Sequence, residues 1–351
     1  MPYSEGSSLL RFRFNGCGGD ADTQLGMEAR RKHQIILVTI DTLRADHLGV
    51  YGYRRNTSPV IDRLARRSLF FRWAFSPISY TVPAHFSLMT GRYVSFHSVH
   101  FYNGRLPWET AQEKTVAEIL SARGFATGAF VSSSVLSLKS VPQMGRGFEV
   151  YDETMTHHES TRESELRRWA TKTNEVALRW LEAHRNHDFF CWIHYMDVHG
   201  PYEAPQPYCD CFIRESEVLE PRNLELVDDG KIGGLPRYQV LKPVRVEGKL
   251  VDYERNYHYY VARYDGGIRY VDTAIGQLIE SLGSLRIYED VLLIITSDHG
   301  EAMGENDVYF FHGLTVTLDQ IHVPLLLKLP AYARVKPQVV PTQVSIIDIV
   351  P

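Results

Sequence analysis

Two stretches of this chain decide its fold: QIILVTID at residues 34–41 and VLLIITSDHG at residues 291–300. Each is an apolar, β-branched run of strand length. Asp41 ends the first run, and Asp298 and His299 follow the second. Strands in open α/β sheets carry functional groups at their carboxyl ends, so side chains far apart in sequence can meet there. The pattern therefore predicts an α/β sheet with a polar site at one edge.

Strand and helix signals alternate along most of the chain, which predicts a mainly parallel central sheet with helices on both faces. The predicted strands are 34–41, 69–75, 125–132, 188–195, 290–297 and 322–329, and the predicted helices are 58–68, 83–91, 114–123, 164–185 and 256–283. Residues 1–33 lack any sustained period and are interpreted as a poorly structured leader. Residues 34–351 are interpreted as one α/β domain with a surface insertion near 203–248 and a truncated C-terminal end.

The composition is that of an ordinary globular domain, with 44% hydrophobic and 23% charged residues in a chain of 351. A net charge of -4 gives no general attraction to nucleic acid or anionic lipid, so an anionic substrate, such as a small anionic ester, must be captured by a local positive site, which a metal would supply. No apolar stretch reaches about 18 residues, so no membrane span is expected. The lack of a recognisable signal peptide predicts a cytoplasmic location. The four cysteines are interpreted as reduced thiols, and the oligomeric state stays open.

Asp41, Asp298 and His299 are candidate ligands of one metal ion. A carboxylate that follows a buried strand needs charge compensation, and Gly300 allows the backbone to turn tightly around an ion. Simpler explanations exist, because Asp41 could cap the next turn and Asp298 could form a salt bridge. Carboxylates with one imidazole suit calcium, magnesium or manganese, while zinc would gain from a second site.

Thr81 is the candidate nucleophile. Pro83 suits the first turn of a helix, so the Thr81 hydroxyl would face the positive helix end and its free N–H groups. Simple helix capping is the alternative. A divalent cation bound to the hydroxyl would lower its pKa, as metals do for water, which would make Thr81 both a metal ligand and the attacking group.

The stretch FFCWIHYMDVHGPY, residues 189–202, adds further candidates. If the extended form persists beyond the strand, Asp197 and His199 lie on the same side. Together with His312 they could bind a second metal, hold a substrate oxygen or protonate a leaving group. Each histidine could instead be a packed or solvent-facing imidazole.

Five ordered motifs together resemble the sulfatase family within the alkaline phosphatase superfamily. They are DTLRADHLGVYGY at 41–53, TVPAHFSLMTGR at 81–92, HYMDVHGPY at 194–202, YDGGIRYVDTAIGQLI at 264–279 and SDHGEAMGE at 297–305. The resemblance implies an alkaline-phosphatase-like α/β fold and metal-dependent hydrolysis of sulfate or phosphate esters. It places metal ligands at Asp41, Asp298 and His299, the nucleophile at Thr81, anion-binding groups at His85, Arg92 and His199, and a metal ligand or leaving-group acid at His312.

The sequence also departs from the family pattern. Sulfatases carry at the nucleophile position a cysteine or serine that becomes formylglycine, so no formylglycine is expected from Thr81. Thr42 replaces the second Asp of the first motif, and Leu314 replaces the lysine after the His-Gly pair. An unmodified threonine resembles the superfamily's phosphatases, phosphodiesterases and phosphoglycerol transferases. Sulfate and phosphate esters therefore both remain candidate substrates, and the rival functions are transfer to an alcohol acceptor and a catalytically silent metal-binding homologue.

Overall fold

The structure is a computed structural model that describes residues 31–99, 113–160, 165–217, 219–228, 230–240, 243–246 and 249–350. Lys32–Val350 form one compact unit. Apart from its last three residues, the leader predicted at 1–33 lies outside the described part of the chain.

The described elements are numbered in chain order. The strands are β1 Gln34–Ile40, β2 Leu69–Phe75, β3 Ala126–Phe130, β4 Val150–Asp152, β5 His157–His158, β6 Leu166–Arg167, β7 Phe189–Tyr195, β8 Leu226–Val227, β9 Leu235–Pro236, β10 Pro243–Val246, β11 Lys249–Tyr253, β12 Val291–Ser297, β13 Ala302–Met303, β14 Tyr309–Phe311, β15 His322–Lys328 and β16 Gln338–Ser345. The helices are α1 Pro59–Ala65, α2 Thr81–Thr90, α3 Val94–His97, α4 Val116–Ser121, α5 Ala170–His184, α6 Ile213–Glu217, α7 Tyr257–Ser284 and α8 Leu318–Ile321.

The central sheet has the strand order β16-β2-β15-β12-β1-β7-β3-β4 in the described residues. β1 pairs in parallel with β12 and β7, and only β15 runs antiparallel to its neighbours within the described sheet. The predicted α/β fold with a mainly parallel sheet is confirmed. Two edge strands escaped prediction, because β4 has three residues and β16 is exposed along most of its length and so lacks an apolar run.

Both faces of the sheet are buried, which explains the continuous apolar run of β1. Ile36 and Val38 pack in one hydrophobic cluster with residues of α1, α5 and α7. Leu37, which points to the opposite face, packs in a second cluster with residues of α2 and α4. The helices therefore cover both faces and leave the carboxyl ends of the strands to form a site.

Three details differ from the sequence-based expectations or refine them. The helix predicted from residue 164 begins at Ala170, because Leu166–Arg167 pair as a short strand. The region predicted as a surface insertion also contributes Leu224 and Leu235 to the hydrophobic core. The cysteines in the described residues are free thiols. None of the described helices combines the length and apolar composition that crossing a bilayer requires.

Candidate active site

Asp41, Asp298 and His299 meet just beyond the carboxyl ends of β1 and β12, which are parallel neighbours. All three side chains are fully buried, and their ligand atoms lie within 4.8 Å of one another. His299 Nε2 is 3.9 Å from Asp41 Oδ1 and 3.4 Å from Asp298 Oδ2. The structure thus brings Asp41 to the adjacent pair Asp298 and His299, from which most of the chain separates it.

Three of the four carboxylate oxygens of this group are buried and accept no hydrogen bond from the described residues: both oxygens of Asp41 and Oδ2 of Asp298. Asp298 Oδ1 accepts from the main-chain N–H groups of Thr42 and His299. Burial, followed by the negative charge of Asp41, raises the pKa of Asp298 well above its usual range. Buried anions are costly unless a positive charge or a hydrogen-bond donor compensates them. The donor set of two carboxylates and one imidazole therefore fits a divalent metal ion.

His299 is oriented by its own main chain. Its Nδ1 lies 2.8 Å from the carbonyl oxygen of Gly300, and a carbonyl can only accept, so Nδ1 carries the proton. Burial, together with the nearby His312, lowers the pKa of His299 to about 3, which keeps the ring neutral at neutral pH. The unprotonated Nε2 then faces the two carboxylates, as a metal-binding imidazole requires.

Thr81 is the first residue of α2, and its Oγ1 lies 3.1 Å from His299 Nε2. The N-cap of α2 is Tyr80, and no side chain caps the helix there. The capping alternative for Thr81 therefore does not apply. The hydroxyl stands beside the candidate metal ligands and at the N-terminal end of a ten-residue helix, whose dipole stabilises negative charge.

His85 lies one turn further along α2 and is fully buried. Its Nδ1 is 2.8 Å from the carbonyl oxygen of Thr81, and its Nε2 is 3.2 Å from Thr39 Oγ1. Burial, together with the neighbouring His194, lowers the pKa of His85 to about 3. Both ring nitrogens of His85 therefore have protein partners, and the side chain links α2 to β1. The contact of His85 with a substrate that the sequence led us to expect stays a prediction.

Arg92 is not brought to the site. It is exposed and lies two residues beyond the end of α2, whereas Thr81 begins that helix. Ten helical residues span about 15 Å, so the guanidinium belongs to the opposite end of the helix. The structure therefore does not bring Arg92 beside Thr81, and its expected contact with a substrate stays a prediction.

His199 and His312 lie on the outer side of His299. The His312 ring centroid is 4.5 Å from that of His299 and 5.0 Å from that of His199. Arg167 donates to the carbonyl oxygen of His199 at 3.1 Å and forms a buried ion pair with Glu159. His312 therefore packs on the ring of His299, whose Nε2 contacts the Thr81 hydroxyl, and His199 packs on His312.

Asp197 is separated from these two histidines. β7 ends at Tyr195, and the chain then turns, so the extended form that would align Asp197 with His199 does not persist. Asp197 Oδ1 instead accepts from the Ala170 N–H at the start of α5, and burial raises the Asp197 pKa to about 7. In the part of the chain that the structure describes, the Asp41, Asp298 and His299 group is the one found with metal-binding geometry, so the predicted second metal site is not assembled.

Sequence reasoning missed His194 and Glu301 as site residues. His194 is fully buried, and its Nε2 lies 3.4 Å from Asp41 Oδ2. Burial, followed by the charge of Arg168, lowers the His194 pKa to about 3. Glu301 is buried beside His312, and burial raises its pKa well above the usual range. The signal for His194 was a polar residue within a strand that is otherwise apolar.

The chain is similar to known proteins over most of its length. A family model described as "Sulfatase" matches residues 33–351. The "Ulvan-active sulfatase" of Formosa agariphila is 24% identical over 361 aligned positions, which cover 98% of this chain and 65% of the relative. The "Iduronate 2-sulfatase" of Homo sapiens is 24% identical over 87% of this chain and 61% of its own length. The chain thus spans less than two thirds of these relatives.

Solved structures share the fold at low sequence identity. The phosphonate monoester hydrolase of Agrobacterium radiobacter has a TM-score of 0.66 and 19% identity, covering 91% of this chain and 72% of that chain. A protein in the alkaline phosphatase superfamily from Vibrio parahaemolyticus has a TM-score of 0.58 and 15% identity, covering 91% of this chain and 64% of its own. The fold is therefore alkaline-phosphatase-like.

Proposed function

This chain belongs to the sulfatase family, and from that premise we propose that it is a metal-dependent hydrolase of sulfate or phosphate esters with Thr81 as nucleophile. One observation carries the proposal: the Thr81 hydroxyl lies 3.1 Å from His299 Nε2, beside the unpartnered oxygens of Asp41 and Asp298. A hydroxyl next to candidate metal ligands is the arrangement that activates an alcohol for attack.

Asp41, Asp298 and His299 would hold the ion, and the Thr81 oxygen would complete the set. A divalent metal supplies positive charge that lowers the hydroxyl pKa and binds the oxygens of the ester. The mainly carboxylate donor set favours calcium, magnesium or manganese. Zinc has less support, because the second site that would favour it is not assembled.

Thr81 Oγ1 would lose its proton to water and form a bond to the phosphorus or sulfur as the bond to the leaving oxygen breaks on the opposite side. The N-terminal end of α2 would stabilise the negative charge on the remaining oxygens. His312 would donate a proton to the leaving oxygen, and His199 would share in binding the anion. Water would then open the Thr81 ester and restore the hydroxyl.

Formylglycine has no place in this proposal. Threonine carries a methyl group on Cβ, so its oxidation would give a ketone and not the aldehyde of formylglycine. An ester on Thr81 must therefore be opened by water, because it cannot collapse as the hemiester of an aldehyde hydrate does. This favours phosphate esters at least as much as sulfate esters.

The substrate class is tested with matched aryl sulfate, aryl phosphate monoester and aryl phosphodiester in the presence of each candidate metal. A barrier difference of about 2 kcal/mol corresponds to a rate ratio near thirtyfold. Product analysis with glycerol present separates hydrolysis from transfer to an alcohol.

The role of Thr81 is tested with a matched pair of variants. Thr81→Val keeps the shape but removes the hydroxyl and should lower kcat by at least about a thousandfold, whereas Thr81→Ser should retain measurable turnover. Both should keep the wild-type fold. An unchanged rate in Thr81→Val would remove Thr81 from the mechanism, and absent turnover in wild type with every metal and ester would favour a silent homologue.

A further inference from the structure

A buried carboxyl group, that of Glu301, contacts the ring of His312. Glu301 is fully buried, and its Oε1 is 3.0 Å from His312 Nδ1. The Tyr202 hydroxyl donates to the other carboxyl oxygen at 3.3 Å. Among the described residues, His312 is the basic side chain found in ion-pair contact with this carboxyl group.

The support around Glu301 is rigid. Arg44 donates to the main-chain carbonyl oxygen of Glu301 at 3.0 Å, and the Arg44 guanidinium is itself buried and paired with Asp46 and Glu305. The side chain and the main chain of Glu301 are therefore both held. A group that orients a catalytic side chain to within a fraction of an ångström needs this kind of support.

The contact determines how the His312 ring is oriented. One proton lies between His312 Nδ1 and Glu301 Oε1, whether the imidazole or the carboxyl group carries it. The ring therefore cannot rotate without breaking a buried hydrogen bond. Proton transfer to a substrate would consequently pass through Nε2. The ring also lies 4.5 Å, centroid to centroid, from His299, which is next to Thr81.

We propose that Glu301 is a positioning residue that directs the Nε2 edge of His312 toward the leaving-group oxygen. The inference rests on the proposed function. As the bond between the leaving oxygen and phosphorus or sulfur breaks, the proton on His312 Nε2 moves to that oxygen. The hydrogen bond between Nδ1 and Glu301 Oε1 is kept throughout, and Nε2 then regains a proton from water.

The loss of rate on removing the Glu301 contact should depend on the leaving group of the substrate. An acidic phenol leaves readily as its anion and needs little proton donation, whereas an aliphatic alcohol requires it. Removing the orienting contact should therefore slow esters of alcohols far more than esters of 4-nitrophenol. A purely structural role would slow both by the same factor.

The experiment compares kcat and KM for a 4-nitrophenyl ester and an alkyl ester of the same acid. Glu301→Met keeps the side-chain length without an acceptor and should lower kcat on the alkyl ester by about 10- to 100-fold, with little change in KM. It should change kcat on the nitrophenyl ester by less than about threefold, and Glu301→Gln, which can still accept from Nδ1, should recover most of the loss. Glu305→Gln is the matched control, because it weakens the Arg44 support without touching His312.

An equal loss on both esters, or equal behaviour of the Gln and Met variants, would overturn the inference. Nitrogen NMR of labelled histidine gives a second readout that needs no turnover, because the His312 ring should show a fixed tautomer in wild type and a mixture in Glu301→Met. An unchanged His312 signal would also overturn it. Retained activity in Thr81→Val would instead overturn the proposed function, so the two failures are distinct.

Discussion

Replacing Asp298 with Asn is expected to change stability in opposite directions with and without a divalent ion. The ligand oxygens of Asp41 and Asp298 lie within 4.8 Å of each other. At an effective dielectric constant of about 20, two like charges at that separation repel by on the order of 3 kcal/mol. Asn keeps the Oδ1 acceptor that receives the main-chain N–H groups of Thr42 and His299, so the fold should be spared.

The sign of the effect without metal follows from the raised pKa of Asp298. Its contribution to stability is present at low pH and is lost as pH rises through the folded-state pKa, because folding then confines a second buried charge. The Asn variant lacks this loss. Its melting temperature in chelator should therefore exceed that of wild type, and the difference should grow toward high pH.

In the presence of a divalent ion, wild type should have the higher melting temperature and the Asn variant the lower one. An ion present at about 100 times its Kd stabilises the folded state by about 2.7 kcal/mol. With an unfolding entropy of about 2.1 cal/mol/K per residue over the unit Lys32–Val350, one kcal/mol shifts the melting temperature by about 1.5 °C, so wild type should gain roughly 4 °C. The variant keeps one ligand charge fewer and should gain much less. Thermal scans with chelator and with calcium, magnesium or manganese test this, and an unchanged metal response in the variant would refute the assigned ligand set.

Three further variants test other parts of the structure. Burial raises the Asp197 pKa to about 7, so wild type should lose stability as pH rises from about 4 to about 7, and Asp197→Asn should remove this loss. Denaturant melts at several pH values measure the unfolding free energy of both proteins. The same dependence of that free energy on pH in the variant as in wild type would contradict the prediction. Arg167→Met should cost about 3–5 kcal/mol of stability by removing the positive partner of the buried Glu159 carboxylate, and the additional change Glu159→Met should recover most of that stability in the same melts. Gly300→Ala would place a Cβ atom 2.2 Å from the Asp319 carbonyl oxygen, so its melting temperature should fall, and a wild-type value would argue against this packing.

The central strands and helices were predictable because elements that are largely buried have a recognisable apolar sequence pattern. β1 was predicted at 34–41 and observed at Gln34–Ile40, and the long helix α7 was predicted at 256–283 and observed at Tyr257–Ser284. The edge strand β16 was not predictable in this way, since exposed positions interrupt its apolar pattern. Strength of burial, more than length, decided which elements could be recognised.

The site was predictable where it depends on strand ends and unpredictable where it depends on register. Asp41 and Asp298 each follow a central strand, and this rule alone predicts their convergence. His194 reaches Asp41 because β7 pairs with β1 so that His194 lies opposite Thr39, a register that no local pattern encodes. Asp197 was misplaced because the chain turns after β7, and a turn there has no strong signal in the sequence.

The side chain that accepts the transferred group tests the central claim most directly. The metal-loaded protein is quenched in acid during turnover of a reactive aryl ester, and its peptides are mapped by mass spectrometry. The peptide that contains Thr81 should carry the added mass of the transferred phosphate or sulfate group, and this mass should be absent in Thr81→Val. A transferred group on another side chain would contradict the role of Thr81 as the nucleophile.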